Sequence, residues 1–227
     1  MQTYPGLFEV KDIQRTWNED YQGLFDEPVF NPYEIKEANA KKEMLFEEFK
    51  VFSASVAQAL VDQLSKPVHE WVIKPLQGFG IAGGQKFVVG QVFCKFARDD
   101  KGIYGSDELA IKMAKNEIRN VNALMHLGAH SLHTSLTASH RIKGHVVITT
   151  AKMPISAGGV GHESSLVYGS SDAAKTLHRS NDLMNELVDG VASQLGLAAH
   201  AVKSHPNVKV SIGVDCEGHV STEDGRY

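Results

Sequence analysis

The 227-residue chain has few cysteines, almost no net charge and no long apolar run, and each shortage excludes a class of protein. Two cysteines, Cys94 and Cys216, are too few for a disulfide-dense secreted scaffold. The first twelve residues lack the basic start and apolar run of a signal peptide, so we expect a reducing compartment. The 23 Lys and Arg against 27 Asp and Glu argue against a domain held to nucleic acid by bulk positive charge. The apolar stretch 53–64 is interrupted by polar side chains, which argues against a membrane span.

What is present is the composition of a folded domain. Hydrophobic residues make up 42% and charged residues 22%, with 20 Gly and 7 Pro. These values exclude collagen-like, coiled-coil and wholly disordered chains. A chain of this length buries about 70% of its unfolded surface, which is enough for a substantial core.

Two helices have clear start signals. Aromatic residues in the first thirty positions predict an irregular arm or short helices whose rings dock on the domain. Asn31 and Pro32 then form an N-cap followed by proline in the first turn, and the predicted helix runs for about 34 residues until Pro67 stops it. Its predicted buried stripe consists of Leu45, Phe49, Phe52, Val56, Leu60 and Leu64. Ser106 caps a second helix, for which we expect Leu109, Met113, Glu117, Val121 and Leu124 on the buried side or its edge.

Strand signals follow the first long helix. Residues 86–97 predict a single strand with apolar side chains on both faces, and 145–150 and 208–214 predict two more. The Gly- and Ser-rich stretch 156–171 predicts a mobile loop, and Asp172 is expected to begin a third helix that Gly196 ends. Glu223-Asp224-Gly225 is typical of a hairpin turn. Because no returning strand follows, we expect the chain to be a fragment of a longer protein.

These elements predict an α+β fold with a mostly antiparallel sheet, packed helices and a long N-terminal helix. The layout is also compatible with that of a protein kinase. We expect residues 1–70 to form an arm and helix that pack on an α/β domain spanning 71–227.

A glycine-rich segment before the 86–97 strand is the most suggestive chemical motif. It matches G-x-G-x-x-G, but a strand follows it instead of the helix that a dinucleotide-binding loop requires. Protein kinases use the order found here: glycines, a strand with a lysine, and a helix with a glutamate that pairs with the lysine. The hypothetical nucleotide-binding residues are Gly78, Gly80, Gly83, Gly84, Lys95 and Glu117. No His-Arg-Asp catalytic loop occurs, and any magnesium-binding Asp on a later strand would fall beyond Tyr227.

Other motifs give weaker signals. His126, His130 and His133 have a spacing that could hold a transition metal, although eleven histidines make chance groupings common. No metal site is therefore assigned. Cys94 is interpreted as core filler and Cys216 as an unreactive thiol beside acidic residues, and no G-x-S-x-G elbow singles out a catalytic serine. We assign no catalytic residues.

Several blocks of the chain resemble the Clu domain of clustered-mitochondria proteins. They are residues 17–22, 83–90, 92–97, 102–110, 166–172, 213–219 and 224–227, in the family's order. The resemblance implies a large cytosolic protein that maintains mitochondrial distribution and associates with messenger RNAs for mitochondrial proteins and with the translation machinery. In that family an apolar strand follows the 224–227 turn and a helical repeat region comes later, and this chain contains neither. The family defines no established catalytic residues.

The sequence therefore favours a non-enzymatic interaction module of a clustered-mitochondria protein. We expect it in the cytoplasm or at the mitochondrial outer surface, with protein partners from the translation machinery, mRNA reached through the full-length protein, and no cofactor. The alternative is an ATP-binding, kinase-like domain, active or inactive, with ATP and Mg²⁺ as its ligands. A third interpretation, direct RNA recognition by this segment, predicts an affinity that falls with salt.

Overall fold

The computed structural model describes residues 4, 6–26, 30–77, 83–126, 132–159, 162–172 and 174–226. The chain divides into two compact units, the first comprising Met1–Arg119 and Ser135–Lys152, the second Asn120–Thr134 and Met153–Tyr227. Every strand pairing among the described residues is antiparallel, which confirms the predicted mixed fold. The boundary near residue 70 stays a prediction.

Three helices open the first unit. Helix α1 spans Val10–Gln14, α2 spans Trp17–Asp26 and the long α3 spans Pro32–Gln63, followed by a 3-10 turn at Val68–Glu70. The predicted start of α3 is confirmed, because the Asn31 side chain accepts hydrogen bonds from the backbone N–H groups of Tyr33 and Glu34, each at 3.0 Å. The N-terminal arm contains the short helices α1 and α2, as expected.

The aromatic residues of the arm dock on α3. Trp17 is almost fully buried, stacks on Phe52 with ring centroids 5.7 Å apart and meets Phe49 edge to face at 5.5 Å. Of the predicted stripe on α3, all members are buried except Leu64, which packs on the core while half-buried. Apolar area removed from water, with aromatic pairing, thus anchors the arm.

A four-stranded sheet forms the centre of the first unit. Its strands are β1 (Lys86–Val89), β2 (Val92–Phe96), β3 (Thr137–Ile142) and β4 (His145–Ala151), in the order β1-β2-β4-β3. The single strand predicted over 86–97 is wrong, because Val89 pairs with Val92 across a two-residue turn. Gly90 makes that turn with a φ of +57°, and a Cβ there would lie 2.3 Å from the Ile13 carbonyl oxygen, so only glycine fits.

The hairpin also changes which side chains share a face. The buried residues of β1 and β2 all lie on one face, which packs on the core formed with α3: Phe87, Val89, Val92, Cys94 and Phe96. On the other face Val88, Phe93 and Lys95 are half-buried. Both faces are covered, as predicted, but only one is continuously apolar and fully buried.

Helix α4 (Asp107–His126) covers part of the second face. Ser106 caps it, its Oγ accepting from the Leu109 N–H at 3.2 Å, as predicted. The predicted buried side is wrong for Leu109 and Met113, which are exposed, whereas Val121 and Leu124 are half-buried. The side chains that pack near Ala97, Val146 and Ile148 of the sheet are instead Ile111, Ala114 and Ile118, and Ala110 is also buried. Small alanines let the helix approach the sheet closely.

The second unit contains short strands and one helix. They are β5 (Ala157–Gly159), β6 (His162–Ser164), β7 (Leu166–Gly169), β8 (His178–Arg179), α5 (Asp182–Gln194), β9 (His200–Val202), β10 (His205–Val210) and β11 (Gly218–His219). They pair as β5-β6, β11-β7-β8 and β10-β9. A small core forms around Tyr168, Met184, Val188 and Val210.

Three expectations for the second unit need correction. The stretch 156–171 is not a loop, because β5, β6 and β7 lie within it; the glycine at 169 permits close approach, since a Cβ there would lie 2.1 Å from the Cys216 carbonyl oxygen. The third helix does not begin at Asp172 but at Asp182, where Asn181 caps it. The last predicted strand, 208–214, is observed as β10 at His205–Val210. The helix end at Gly196, with φ +68°, and the turn at Gly225, with φ +73°, are confirmed.

Neighbouring positions of α3 give a test of the core. Phe49 is fully buried and Val51 is 71% exposed. We expect Phe49→Ala to lower the free energy of unfolding by about 3–5 kcal/mol, because it removes ring contacts and leaves a cavity. Val51→Ala should change it by no more than about 0.5 kcal/mol. Urea denaturation of both variants checks this, and equal effects would contradict the assigned face of α3.

A buried histidine gives a pH test. The Nε2 of His140 on β3 lies 3.0 Å from Ser53 Oγ and 3.1 Å from Thr149 Oγ1. Burial, with a smaller effect from the positive charge of Lys50, lowers the pKa of His140 below 6.5. The stabilising contribution is therefore complete above the unfolded-state pKa of about 6.5 and is lost as pH falls through the lower folded-state pKa.

We expect His140→Gln to weaken the dependence of the melting temperature on pH between about pH 8 and 5, because the variant has no imidazole to protonate. Thermal unfolding followed by circular dichroism measures it. A wild-type slope in the variant would contradict the assignment.

Candidate functional site

The site is built around a lysine in the middle of the sheet. Lys95 lies on β2, paired with Lys86 of β1 on one side and Ile148 of β4 on the other. Its side chain lies on the same face as Ile148, the face that packs against α4, and is 20% exposed. A charged group in this position needs a partner, because burial disfavours an isolated charge.

Glu117 of α4 supplies that partner. The Lys95 Nζ donates to both carboxylate oxygens of Glu117, at 3.0 Å to Oε1 and 2.8 Å to Oε2. Glu117 was expected on the buried side of its helix or at its edge, and its side chain, 47% exposed, lies at the edge. It lies one position before Ile118, at the edge of the packed face, from which it reaches the amine.

Two glycines pass directly beside this ion pair. Gly84 N–H donates to the Phe96 carbonyl oxygen at 3.0 Å, which holds the segment against the end of β2. A Cβ added at Gly83 would lie 3.2 Å from Lys95 Cδ, and Gly83 has a φ of +80°. A Cβ at Gly84 would lie 3.1 Å from the Phe96 carbonyl oxygen. Side chains at either position would therefore crowd the strand that carries Lys95.

The structure thus brings together four of the six residues that the sequence singled out. Gly78 and Gly80 lie outside the described residues. Glycines, a lysine on a strand and a glutamate on the following helix are the parts with which protein kinases hold the phosphates of ATP. The arrangement is that of a lysine ammonium held by a carboxylate, with the backbone of two glycines packed against its stem.

The predicted histidine cluster has no described geometry. The side chain of His126 and the whole of His130 lie outside the described residues, and His133 has an interaction of its own. Within the part of the chain that the structure describes, no group of three or more His, Cys, Asp or Glu could hold a metal ion. Cys94 is fully buried, and burial raises the pKa of its thiol, so it belongs to the core as expected.

A serine, histidine and glutamate in the second unit escaped the sequence analysis. Ser165 Oγ lies 2.9 Å from His219 Nδ1, and His219 Nε2 lies 3.3 Å from Glu217 Oε2. The Ser165 hydroxyl is buried and already accepts from the Ser156 N–H at 2.8 Å and contacts the Ser156 carbonyl oxygen at 3.1 Å. These bonds fix the backbone of 156 beside β11, so the trio is structural. Only tertiary folding joins residues 54 positions apart, and no local motif could have revealed it.

The lysines of α3 do not form an open basic face. Lys41 pairs with Glu37 at 3.9 Å and Lys50 with Glu47 at 3.1 Å. Lys42 lies over the Phe25 ring, 3.7 Å from its centroid, and burial lowers its pKa. This helix face offers little support for direct RNA recognition, which needs cations beside stacking aromatics.

The chain matches the model of a known protein family. The family model described as Clustered mitochondria (CLU) matches residues 16–227, nearly the whole chain. The chain belongs to the Clustered mitochondria family. This confirms the resemblance of the sequence blocks, and the match includes Lys95, Glu117 and both units. No curated protein and no solved structure matches the chain.

The Clustered mitochondria membership indicates a role in mitochondrial distribution. Among the described residues, no helix combines the length and apolar character needed to cross a membrane. Tyr4, Phe8 and Ile13 lie before the matched region but pack into the core of the first unit.

The ion pair gives a stability prediction. We expect Lys95→Met and Glu117→Gln each to change the free energy of unfolding by about 1 kcal/mol or less, because partly exposed ion pairs contribute little and methionine keeps the aliphatic stem. Urea denaturation measures it. A loss above about 3 kcal/mol would instead indicate a buried pair that the fold requires.

Proposed function

We propose that this chain is a non-enzymatic interaction module of the Clustered mitochondria family. It contributes to mitochondrial distribution by joining an assembly of the translation machinery, and mRNAs for mitochondrial proteins are reached through the full-length protein. The family match over residues 16–227 is the observation that carries this proposal.

Two features of the structure support a scaffold role. The two units each have their own buried core, so they present stable surfaces. The outer face of α3 exposes a line of side chains at helical spacing, including Tyr33, Met44 and Val51, which leaves substantial surface uncommitted to the core. We propose the cytoplasm and the mitochondrial outer surface as the sites of action.

Sedimentation of the expressed chain tests the proposal. A tagged copy in cultured cells should co-sediment in part with ribosomes on a sucrose gradient, and it should move to lighter fractions when EDTA dissociates the ribosomes. Its expression should also change the distribution of mitochondria seen by microscopy, because the module would compete for partners.

A matched pair of variants controls for folding. Val147→Asp places a charge in the fully buried core of the first unit and should abolish both effects, whereas Lys143→Met on the exposed β3-β4 turn should keep them. A wild-type chain that sediments as free protein with and without EDTA would contradict the proposal.

A further inference from the structure

We propose that the Lys95 site binds the phosphate groups of a magnesium nucleoside triphosphate. Lys95 contacts the phosphates, Glu117 positions Lys95, and the backbone of Gly83 and Gly84 packs against the stem of Lys95 and the end of β2. The inference goes beyond the interaction module, and each can fail without the other.

Lys95 lies among buried neighbours on its face of the sheet. The neighbouring residue across β4, Ile148, is buried, and Ala97 on the same face is buried as well. An apolar side chain would pack on α4 at this position without needing a partner. The ion pair itself contributes little to stability, because Glu117 is half exposed to water. Stability alone therefore does not explain the charge.

The ion pair with Glu117 orders the Lys95 side chain and leaves part of its ammonium group available. A lysine ammonium has three N–H donors, and the two oxygens of Glu117 occupy two of them. One donor remains for an anion. Because Glu117 and the surrounding strand hold the long side chain in one conformation, the ligand does not bear the full entropy cost of ordering it.

Gly83 and Gly84 pack directly on the strand that carries Lys95. A Cβ at Gly83 would lie 3.2 Å from Lys95 Cδ and a Cβ at Gly84 would lie 3.1 Å from Phe96 Cβ, so the backbone of the two glycines packs closely on β2 and helps to fix the stem of Lys95. Two other cations lie nearby: Lys86 of β1 pairs with Lys95 across the sheet, and Arg98 lies beside Gly84 with its Nε 3.4 Å from Asp100 and 4.0 Å from Asp107. Lys95 is the cation that Glu117 holds in place beside the glycines.

The strand that carries Lys95 is followed along the chain by the helix that carries Glu117. Helix α4, which carries Glu117, connects β2 to β3, and β4 then inserts between them in the sheet. Protein kinases likewise position their phosphate-binding lysine with a glutamate from a helix. Because the sequence contains no His-Arg-Asp loop, the proposal is limited to binding and includes no phosphoryl transfer.

Isothermal titration calorimetry on the whole chain tests the site. The ligands are MgATP, MgGTP and magnesium tripolyphosphate, and the proteins are the wild type, Lys95→Met and Lys143→Met. Lys143 is the matched control, because its Nζ also forms an ion pair between residues distant in sequence, 2.7 Å from Asp62 Oδ1. Lys143 lies in the β3-β4 turn and is not part of the Lys95 site.

We expect saturable binding of at least one nucleotide by the wild type and by Lys143→Met. Binding by Lys95→Met should be at least about tenfold weaker, the loss of one charge-assisted hydrogen bond. Absence of nucleotide binding by the wild type, or equal binding by Lys95→Met, would overturn the proposal. Equal affinity for tripolyphosphate and for both nucleotides would also overturn it, since the site would then recognise a polyphosphate alone.

Two glycine variants test whether the close packing of Gly83 on the Lys95 stem matters for binding. Gly83→Ala and Gly144→Ala both place a Cβ at positive φ, +80° and +85°, but only the first meets neighbouring atoms. We expect Gly83→Ala to weaken nucleotide binding about tenfold and Gly144→Ala to leave it unchanged. Equal effects of the two would contradict a role for the glycine contact.

A measurement on the wild type keeps the test independent of variant folding. Limited acetylation followed by mass spectrometry reports the accessibility of each lysine amine. Saturating MgATP should reduce acetylation of Lys95 at least about fivefold, in line with occupancy of its amine, and leave Lys143 unchanged. Unchanged acetylation of Lys95 would contradict contact between its amine and the ligand.

Discussion

The burial of one apolar face of the four-stranded sheet against α3 determines the rest of the first unit. Phe87, Cys94 and Phe96 lie on this face with no exposure or almost none, and the aromatic arm packs into the same core. Removing this area from water is the main stabilising contribution, and it fixes the register of every strand, because a slip of one residue would reverse the faces.

Once that face is fixed, the position of the site follows. Lys95 alternates with Cys94 and Phe96, so its side chain must lie on the opposite face. A helix with a small residue at the contact can lie close to that face, and Ala114 provides it. The close approach places Glu117 within hydrogen-bond distance of the amine. The position of the Lys95–Glu117 ion pair therefore follows from the packing of the core, and the backbone does not have to be strained to form it.

Local signals explain what could be predicted from the sequence. Asn31 and Ser106 cap their helices by contacts within a few residues, and the spacing of Phe49, Phe52 and Val56 identifies the buried stripe of α3. The Lys95–Glu117 pair could be anticipated because the order of glycine, strand and helix constrains it. The family resemblance, confirmed by the match over 16–227, rested on short blocks spread along the chain.

Non-local packing explains what could not be predicted. The turn at Gly90 was missed because valines on both sides continue an apolar run, and only the pairing of Val89 with Val92 shows that the chain reverses there. The buried side of α4 was misassigned because size favours Leu109 and Met113, whereas the sheet selects alanines. In the second unit, glycine content predicted a loop where close approach of Gly169 to Cys216 requires glycine in a strand.

Amide hydrogen exchange across residues 86–97 tests the central claim most directly, because it reports where the sheet hydrogen bonds lie. We expect slow exchange at Phe87 and Val89 of the edge strand β1 and throughout Val92–Phe96, separated by fast exchange at Gln91, with β4 protected as strongly as β2. Uninterrupted protection from 86 to 97, or fast exchange throughout, would show that the hairpin and its single apolar face do not form.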